Sequence, residues 1–193
     1  MRAAYAEEGR DHVPRQIFQL MVSVAGVRPP VWRRVLVPGG YTLDRLHRVL
    51  QHAIGWRDCH LHSFEIDGRQ YGEPDPGGEL ALGDELDARL DAVVGKGDRF
   101  RYTYDFGDWW EHDLIVEDVC AADPDERYPV CLDGERAAPP EGVGGPEGYA
   151  VLLAALADPE HPEHTVMREW AGPAFDPAVF APDRATTLLR RCC

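Results

Sequence analysis

Residues 16–24 read Gln-Ile-Phe-Gln-Leu-Met-Val-Ser-Val, and residues 31–37 read Val-Trp-Arg-Arg-Val-Leu-Val. Both runs are rich in β-branched and aromatic side chains, and both are closed by turn formers. Gly26 and Pro29-Pro30 separate them, and Pro38-Gly39-Gly40 ends the second. Two such strands on one short turn make a hairpin. The sequence then changes period. Leu43, Leu46, Leu50, Ala53 and Ile54 recur at helical spacing. Thr42 stands at the N-cap position, Asp44 in the first turn faces the positive end of the dipole, and Gly55 follows the last turn.

Working outward, His62 to Ile66 reads as a strand closed by an Asp67-Gly68 turn that leads into Arg69-Gln70-Tyr71. Glu73 to Gly83 holds Pro74, Pro76 and Gly77-Gly78 and is expected to be a mobile loop. Arg99–Tyr104 and Leu114–Val119 are two further strands, with Gly107 in their connection. Residues 121–148, rich in Pro, Gly and acid, read as a long loop. Helices are expected at 146–157 and at 182–190, with a short segment around Trp170 between them. The fold class is α+β: a mixed sheet with a hairpin–helix start, β-grasp or roll-like, and C-terminal helices. Residues 1–13 are expected to be a disordered tail, 14–182 the folded domain, and 183–193 a C-terminal helix and tail.

The formal charge is -14, unevenly spread. Residues 1–60 hold 9 Arg against 5 acidic residues, whereas the remainder is strongly acidic. Nucleic-acid affinity comes mainly from neutralised phosphates, so a general DNA-binding role is disfavoured, and a protein or small-molecule partner is expected instead. A local surface from Arg33, Arg34, Arg45 and Arg48 stays open as an alternative. No run approaches the roughly 18 apolar residues of a membrane span, and the acidic N-terminus lacks a leader's apolar core. A cytoplasmic protein with no membrane partner is expected. Five cysteines, odd in number and without a C-x-x-C pair, argue against a disulfide framework.

Three polar clusters are candidate sites. In Tyr102-Thr-Tyr-Asp-Phe-Gly-Asp-Trp-Trp-Glu-His112, aromatics that favour burial interleave with carboxylates that resist it. Asp105, Asp108 and His112 suit a divalent metal or acid/base chemistry. The alternative is that both aspartates bond turn amides. In the second cluster, His60 and His62 share one face if the chain is extended there, and would chelate a metal with Asp105, Asp108 or His112. His47 and Gln51, at i and i+4 of the helix, can face the same region. In the third, the glycines at 142, 144 and 145 open a helix whose free amides suit an anion, or form a plain turn. Asp105-Phe106-Gly107 spells the kinase triplet, but no catalytic loop accompanies it.

Taken together, Val31-Trp32-Arg33-Arg34-Val35, Thr42-Leu43-Asp44-Arg45-Leu46-His47, Gly55-Trp56 and His60-Leu61-His62-Ser63-Phe64 form a recognisable series. It continues through Tyr71-Gly72, the 104–112 stretch, Pro139-Pro140-Glu141, Gly144-Gly145, Gly148-Tyr149 and Phe175-Asp176-Pro177. The series resembles the plasmid pRiA4b Orf-3-like family over roughly residues 14–182. The resemblance implies an α+β fold in bacterial and archaeal proteins without an assigned activity, some carried as passengers of insertion sequences. Many relatives have cysteines in the third cluster where this chain has Ala138 and Val143, so a thiolate site there is not expected here.

The leading reading is a binding or interaction module with an aromatic and acidic pocket formed by His47, Trp56, Tyr104, Asp105, Asp108, Trp110 and Glu141. The alternative is a divalent-metal-dependent hydrolase using His60, His62, Asp105, Asp108 and His112. A third is a mobile-element accessory protein that meets nucleic acid through the arginine surface.

Overall fold

The computed structural model describes residues 16–73 and 82–192. The expected N-terminal tail, most of the 73–83 loop and the terminal thiols lie outside the described residues and side chains. Strands β1 (Gln16–Val24) and β2 (Trp32–Pro38) form the antiparallel hairpin, and helix α1 (Leu43–Ile54) follows. The chain continues through β3 (His62–Ile66), β4 (Arg69–Gly72), β5 (Gly83–Asp84) and the single turn α2 (Leu90–Val93). Next come β6 (Arg99–Tyr104), β7 (Trp110–Ala121) and β8 (Val130–Glu135). Helices α3 (Gly145–Ala157), α4 (His164–Ala171) and α5 (Pro182–Cys192) complete it.

One eight-stranded sheet results, in the order β5-β4-β3-β6-β7-β1-β2-β8. Neighbours are antiparallel except β4 and β5, so the sheet is mixed and the protein is α+β, as expected. After the β1–β2 hairpin, α1 carries the chain away from β2. The β6–β7 hairpin then fills the space between β3 and β1. Thus β1 lies inside the sheet, and its alternating burial follows the pleat: Leu20, Val22 and Val24 are buried while Gln19, Met21 and Ser23 are not. The first face is the core, packed with Val35, Val37, Leu43, Leu46, Val49, Leu50, Leu114 and Val116. The opposite face is polar and held by cross-strand ion pairs. Arg34 grips Glu117 with two bonds of 2.7 and 3.0 Å, and Arg101 bonds Glu111 at 3.1 Å.

Three local expectations are corrected. The 121–148 stretch is not all loop, because Val130–Glu135 pairs with β2 as an edge strand. Thr42 occupies the N-cap position, but its hydroxyl bonds the Asp44 carboxylate instead of a helix amide. Most consequentially, the four arginines do not form one surface. Arg33 and Arg34 are neighbours in a strand, so their side chains leave on opposite faces. Arg33 is 1% exposed, and it bonds the carbonyls of Ala53 (2.9 Å), Trp32 (2.7 Å) and Glu135 (3.0 Å). Burial lowers its pKa to about 10, and the Phe180 ring lies 3.6 Å from its guanidinium carbon. Arg45 lies over Tyr41 at 3.9 Å, and Arg48 bonds Asp44 at 3.0 Å.

The last helix belongs to the same core. It packs on β8 and α1, burying Ala185 and Leu189, and the Thr186 hydroxyl accepts from the Cys131 amide at 2.9 Å. Leu189→Ala is therefore expected to cost about 2–5 kcal/mol, measured as the loss of unfolding free energy in urea. A loss within about 0.5 kcal/mol, the size of a surface substitution, would show that α5 is an appendage.

Candidate functional site

Period two along the strands places the chemistry. His62 and Phe64 of β3, Tyr102 and Tyr104 of β6, and Trp110 and His112 of β7 all point to the covered face. The register sets them in two rows, His62–Tyr104–Trp110 and Phe64–Tyr102–His112. Trp56, just past the end of α1, lies across both rows. Its ring centroid is 5.0 Å from Tyr104, 5.7 Å from Trp110 and 5.2 Å from His112, and its indole N–H donates to the Pro139 carbonyl at 2.8 Å.

Beneath α1 a closed circuit of hydrogen bonds forms. The amide of Asp58 donates to Gln51 Oε1 (3.0 Å), and Gln51 Nε2 donates to the Tyr102 hydroxyl oxygen (2.9 Å). That leaves the hydroxyl proton for His47 Nδ1, 2.7 Å away, and places the imidazole proton on Nε2, which meets Asp58 Oδ1 at 2.6 Å. His47 is thus the Nε2–H tautomer, neutral between a carboxylate and a phenol. Burial, reinforced by the neighbouring His62, lowers its pKa to about 4. Burial also raises the Tyr102 hydroxyl well above its ordinary value. His62 stacks flat on His47, with centroids 3.5 Å apart and planes within 4°, and its Nε2 meets Glu85 at 2.7 Å.

Nearer solvent, the Tyr104 hydroxyl donates to Glu141 (2.9 Å) and accepts the Cys59 amide (3.0 Å). Burial raises the Tyr104 pKa, so the phenol keeps its proton. Glu141 Oε1 also accepts the Arg57 amide at 3.2 Å and lies 3.5 Å from Cys59 Sγ. Donor atoms of Cys59, His60 and Glu141 all fall within 4.8 Å of one another. His60 Nε2 is 3.6 Å from Asp105. A groove of 520 Å³ opens beside this cluster, lined by Trp56, Pro139, Pro140, Glu141, Trp170 and Phe175 among others.

Only part of each expected set comes together. His60 and His62 separate because the chain is not extended at His60. Asp58 is left-handed (φ 55°), the backbone bends at His60, and β3 begins only at His62. His62 is buried with Glu85, and His112 is fully buried against Trp56 and Tyr102. His112 Nδ1 lies 3.3 Å from the Tyr102 carbonyl, its Nε2 has no hydrogen-bond partner among the described residues, and burial lowers its pKa to about 4. Asp105 accepts the Gly107 amide at 3.0 Å, and Asp108 accepts the Gly144 amide at 3.1 Å. The helix amide expected to suit an external anion is therefore met by a carboxylate of the chain itself. A Cβ at Gly145 would stand 2.5 Å from the Asp108 carbonyl, so glycine permits this close approach. Of the pocket candidates, Trp56, Tyr104 and Glu141 converge, Asp105 sits beside His60, His47 lies behind in the circuit, and Trp110 is core.

Cys59, Asp58, Tyr102 and Glu85 were not singled out by the sequence. Each is isolated in a segment without periodicity, or stands out only once the register is known. The pairing of His47 with Gln51 at helical spacing was the one available pointer, and both converge on the Tyr102 hydroxyl.

An α+β protein with a buried histidine pair under its first helix, and a cysteine–histidine–glutamate triangle at the rim, is thereby defined. The chain belongs to the plasmid pRiA4b ORF-3-like family, whose model matches residues 16–184. It is similar to the uncharacterized protein y4hQ of Sinorhizobium fredii (strain NBRC 101917 / NGR234), 43% identical over 161 residues, 81% of either chain. The crystal structure of the protein of unknown function MM3350 from Methanosarcina mazei Go1 superposes with a TM-score of 0.82 at 35% identity. That match covers 88% of this chain and 97% of the other.

The buried imidazoles make stability depend on acid. His47 and His112 titrate near 4 when folded against an ordinary 6.5, so the unfolded chain takes up their protons first. Their contribution is complete above pH 6.5 and is lost as pH falls from there through 4, about 3 kcal/mol per group from the size of the shifts. Urea unfolding of His112→Leu is expected to lose less stability than the parent over this window, by about the same amount. Equal losses would show that His112 is protonated in the fold.

Proposed function

We propose that this chain is a binding module whose aromatic and acidic groove takes a cationic side chain of a partner protein. The observation that carries this reading is the place of Glu141. Its carboxylate lines a 520 Å³ groove with the rings of Trp56, Trp170 and Phe175. Aromatic faces and a carboxylate together suit an ammonium or guanidinium group. Trp170 is 49% exposed, so its face is open to a ligand. Arg57 approaches Glu141 only at 4.0 Å and with an 88% exposed side chain, a contact that a ligand cation can replace. The chain's charge of -14 favours encounter with a basic partner. No described helix is long and apolar enough to cross a membrane.

One observation supports a second reading, a divalent-metal-dependent hydrolase. Cys59, His60 and Glu141 offer sulfur, nitrogen and oxygen donors within 4.8 Å, a set suited to zinc with an open fourth position. A metal there would supply a bound water of lowered pKa, with Asp105 near His60 as the candidate base. His62, Asp108 and His112 have no part in this version, since the first two are bonded elsewhere and His112 is fully buried in the core.

One titration series tests both. Tryptophan fluorescence is followed while the full chain is titrated with acetyl-Gly-Arg-Gly-amide, acetyl-Gly-Gln-Gly-amide and Zn²⁺. The arginine peptide is expected to bind about tenfold more tightly than the glutamine peptide, roughly 1.4 kcal/mol. Glu141→Gln is expected to erase that preference. Peptides that cannot be told apart would contradict the binding reading. Stoichiometric zinc lost in Cys59→Ser would favour the hydrolase.

A further inference from the structure

A second cavity adjoins this groove, sharing Phe175 with it, and lies between the β1–β2 turn, the segment after β8, and helices α3 and α4. Its volume is 610 Å³, within the range of small-molecule sites. Three guanidinium side chains from distant parts of the sequence line it: Arg28, Arg136 and Arg168. Leu153, Leu156 and Phe175 supply apolar wall. In a chain of charge -14, three arginines around one concavity oppose the general field of the molecule.

The electrostatics of this cavity are unbalanced in the chain alone. Asp176 is the one carboxylate among the described residues of the lining, and its Oδ1 accepts the Ala178 amide at 2.9 Å. Arg168 donates to the Phe175 carbonyl at 3.2 Å, which uses one of its five N–H groups. Neither Arg28 nor Arg136 forms an ion pair among the described residues. The Nε of Arg136 is buried and has no hydrogen-bond partner there. A buried donor of a charged group left without an acceptor is costly, and an anion beside the guanidinium would offset that cost. Arg136 is also left-handed (φ 68°), a conformation that disfavours a non-glycine residue.

We propose that this cavity is a binding site for a small organic anion, a carboxylate or phosphate monoester carrying an apolar body. The anionic group meets the arginines in charge-assisted bonds, and the body packs on Leu153, Leu156 and Phe175. A small anion is favoured over a polyanion because the chain as a whole, at a charge of -14, would repel an extended strand.

Isothermal titration of the full chain with phenyl phosphate, benzoate, inorganic phosphate and benzyl alcohol tests the proposal. Phenyl phosphate or benzoate is expected to bind at least about tenfold more tightly than both inorganic phosphate and neutral benzyl alcohol. Whichever of the two binds more tightly identifies the anionic group. Arg136→Gln is expected to weaken that binding about tenfold, and Arg101→Gln, on the far face of the sheet, to leave it unchanged. Arg168→Gln provides the same test if the first variant does not fold. Saturable binding of neither anion, binding indifferent to both cavity arginines, or equal loss in Arg101→Gln would overturn it.

Discussion

The hydroxyl of Tyr102 is the point on which the site depends. It stands on the central strand β6, fully buried, and receives Gln51 while donating to His47, one helical turn apart on α1. Through those two side chains the helix is pinned to the sheet, and through Asp58 the segment after the helix is pinned as well. A buried phenol, imidazole and amide carry a desolvation cost unless every donor finds an acceptor. The circuit gives each of these side chains a partner and runs in a single consistent direction of donation. Trp56, Cys59 and His60 are held in place because the chain between α1 and β3 is tied at Asp58.

This arrangement separates structural from available groups. His47, His62 and His112 are the residue types a catalytic reading selects first, yet all three lie buried in the core. The groups nearer solvent are Cys59, His60, Asp105 and Glu141, arranged around the hydroxyl of Tyr104. Two tyrosines two residues apart thus have different tasks. Tyr102 closes the interior circuit, while Tyr104 orders the rim that faces the groove.

The fold was legible wherever one period dominated. The alternating strands β1, β3 and β6, and helix α1 with Gly55 after it, coincide with the expected ranges because burial of one face sets both pattern and structure. Strand β8 was not legible. It is an edge strand containing Asp133 and Gly134, and its Leu132 is 45% exposed, so no alternation marks it. The site was legible only in part. Glu141 and Trp56 came from the family motifs, whereas Asp58 and Glu85 are single acids whose partners are fixed by tertiary contact. His60 does not share a face with His62 for a local reason: period two holds only inside a strand, and β3 starts at His62, two residues after His60.

The most direct measurement is long-range ¹H–¹⁵N NMR of the histidine rings as a function of pH. His47 is expected to carry its proton on Nε2, with Nδ1 bare and accepting from Tyr102, and to titrate near pH 4. In Tyr102→Phe the signal of a bonded Nδ1 should vanish. A His47 protonated on Nδ1, or titrating at its ordinary value near 6.5, would show that the circuit does not exist and that the rim is held by something else.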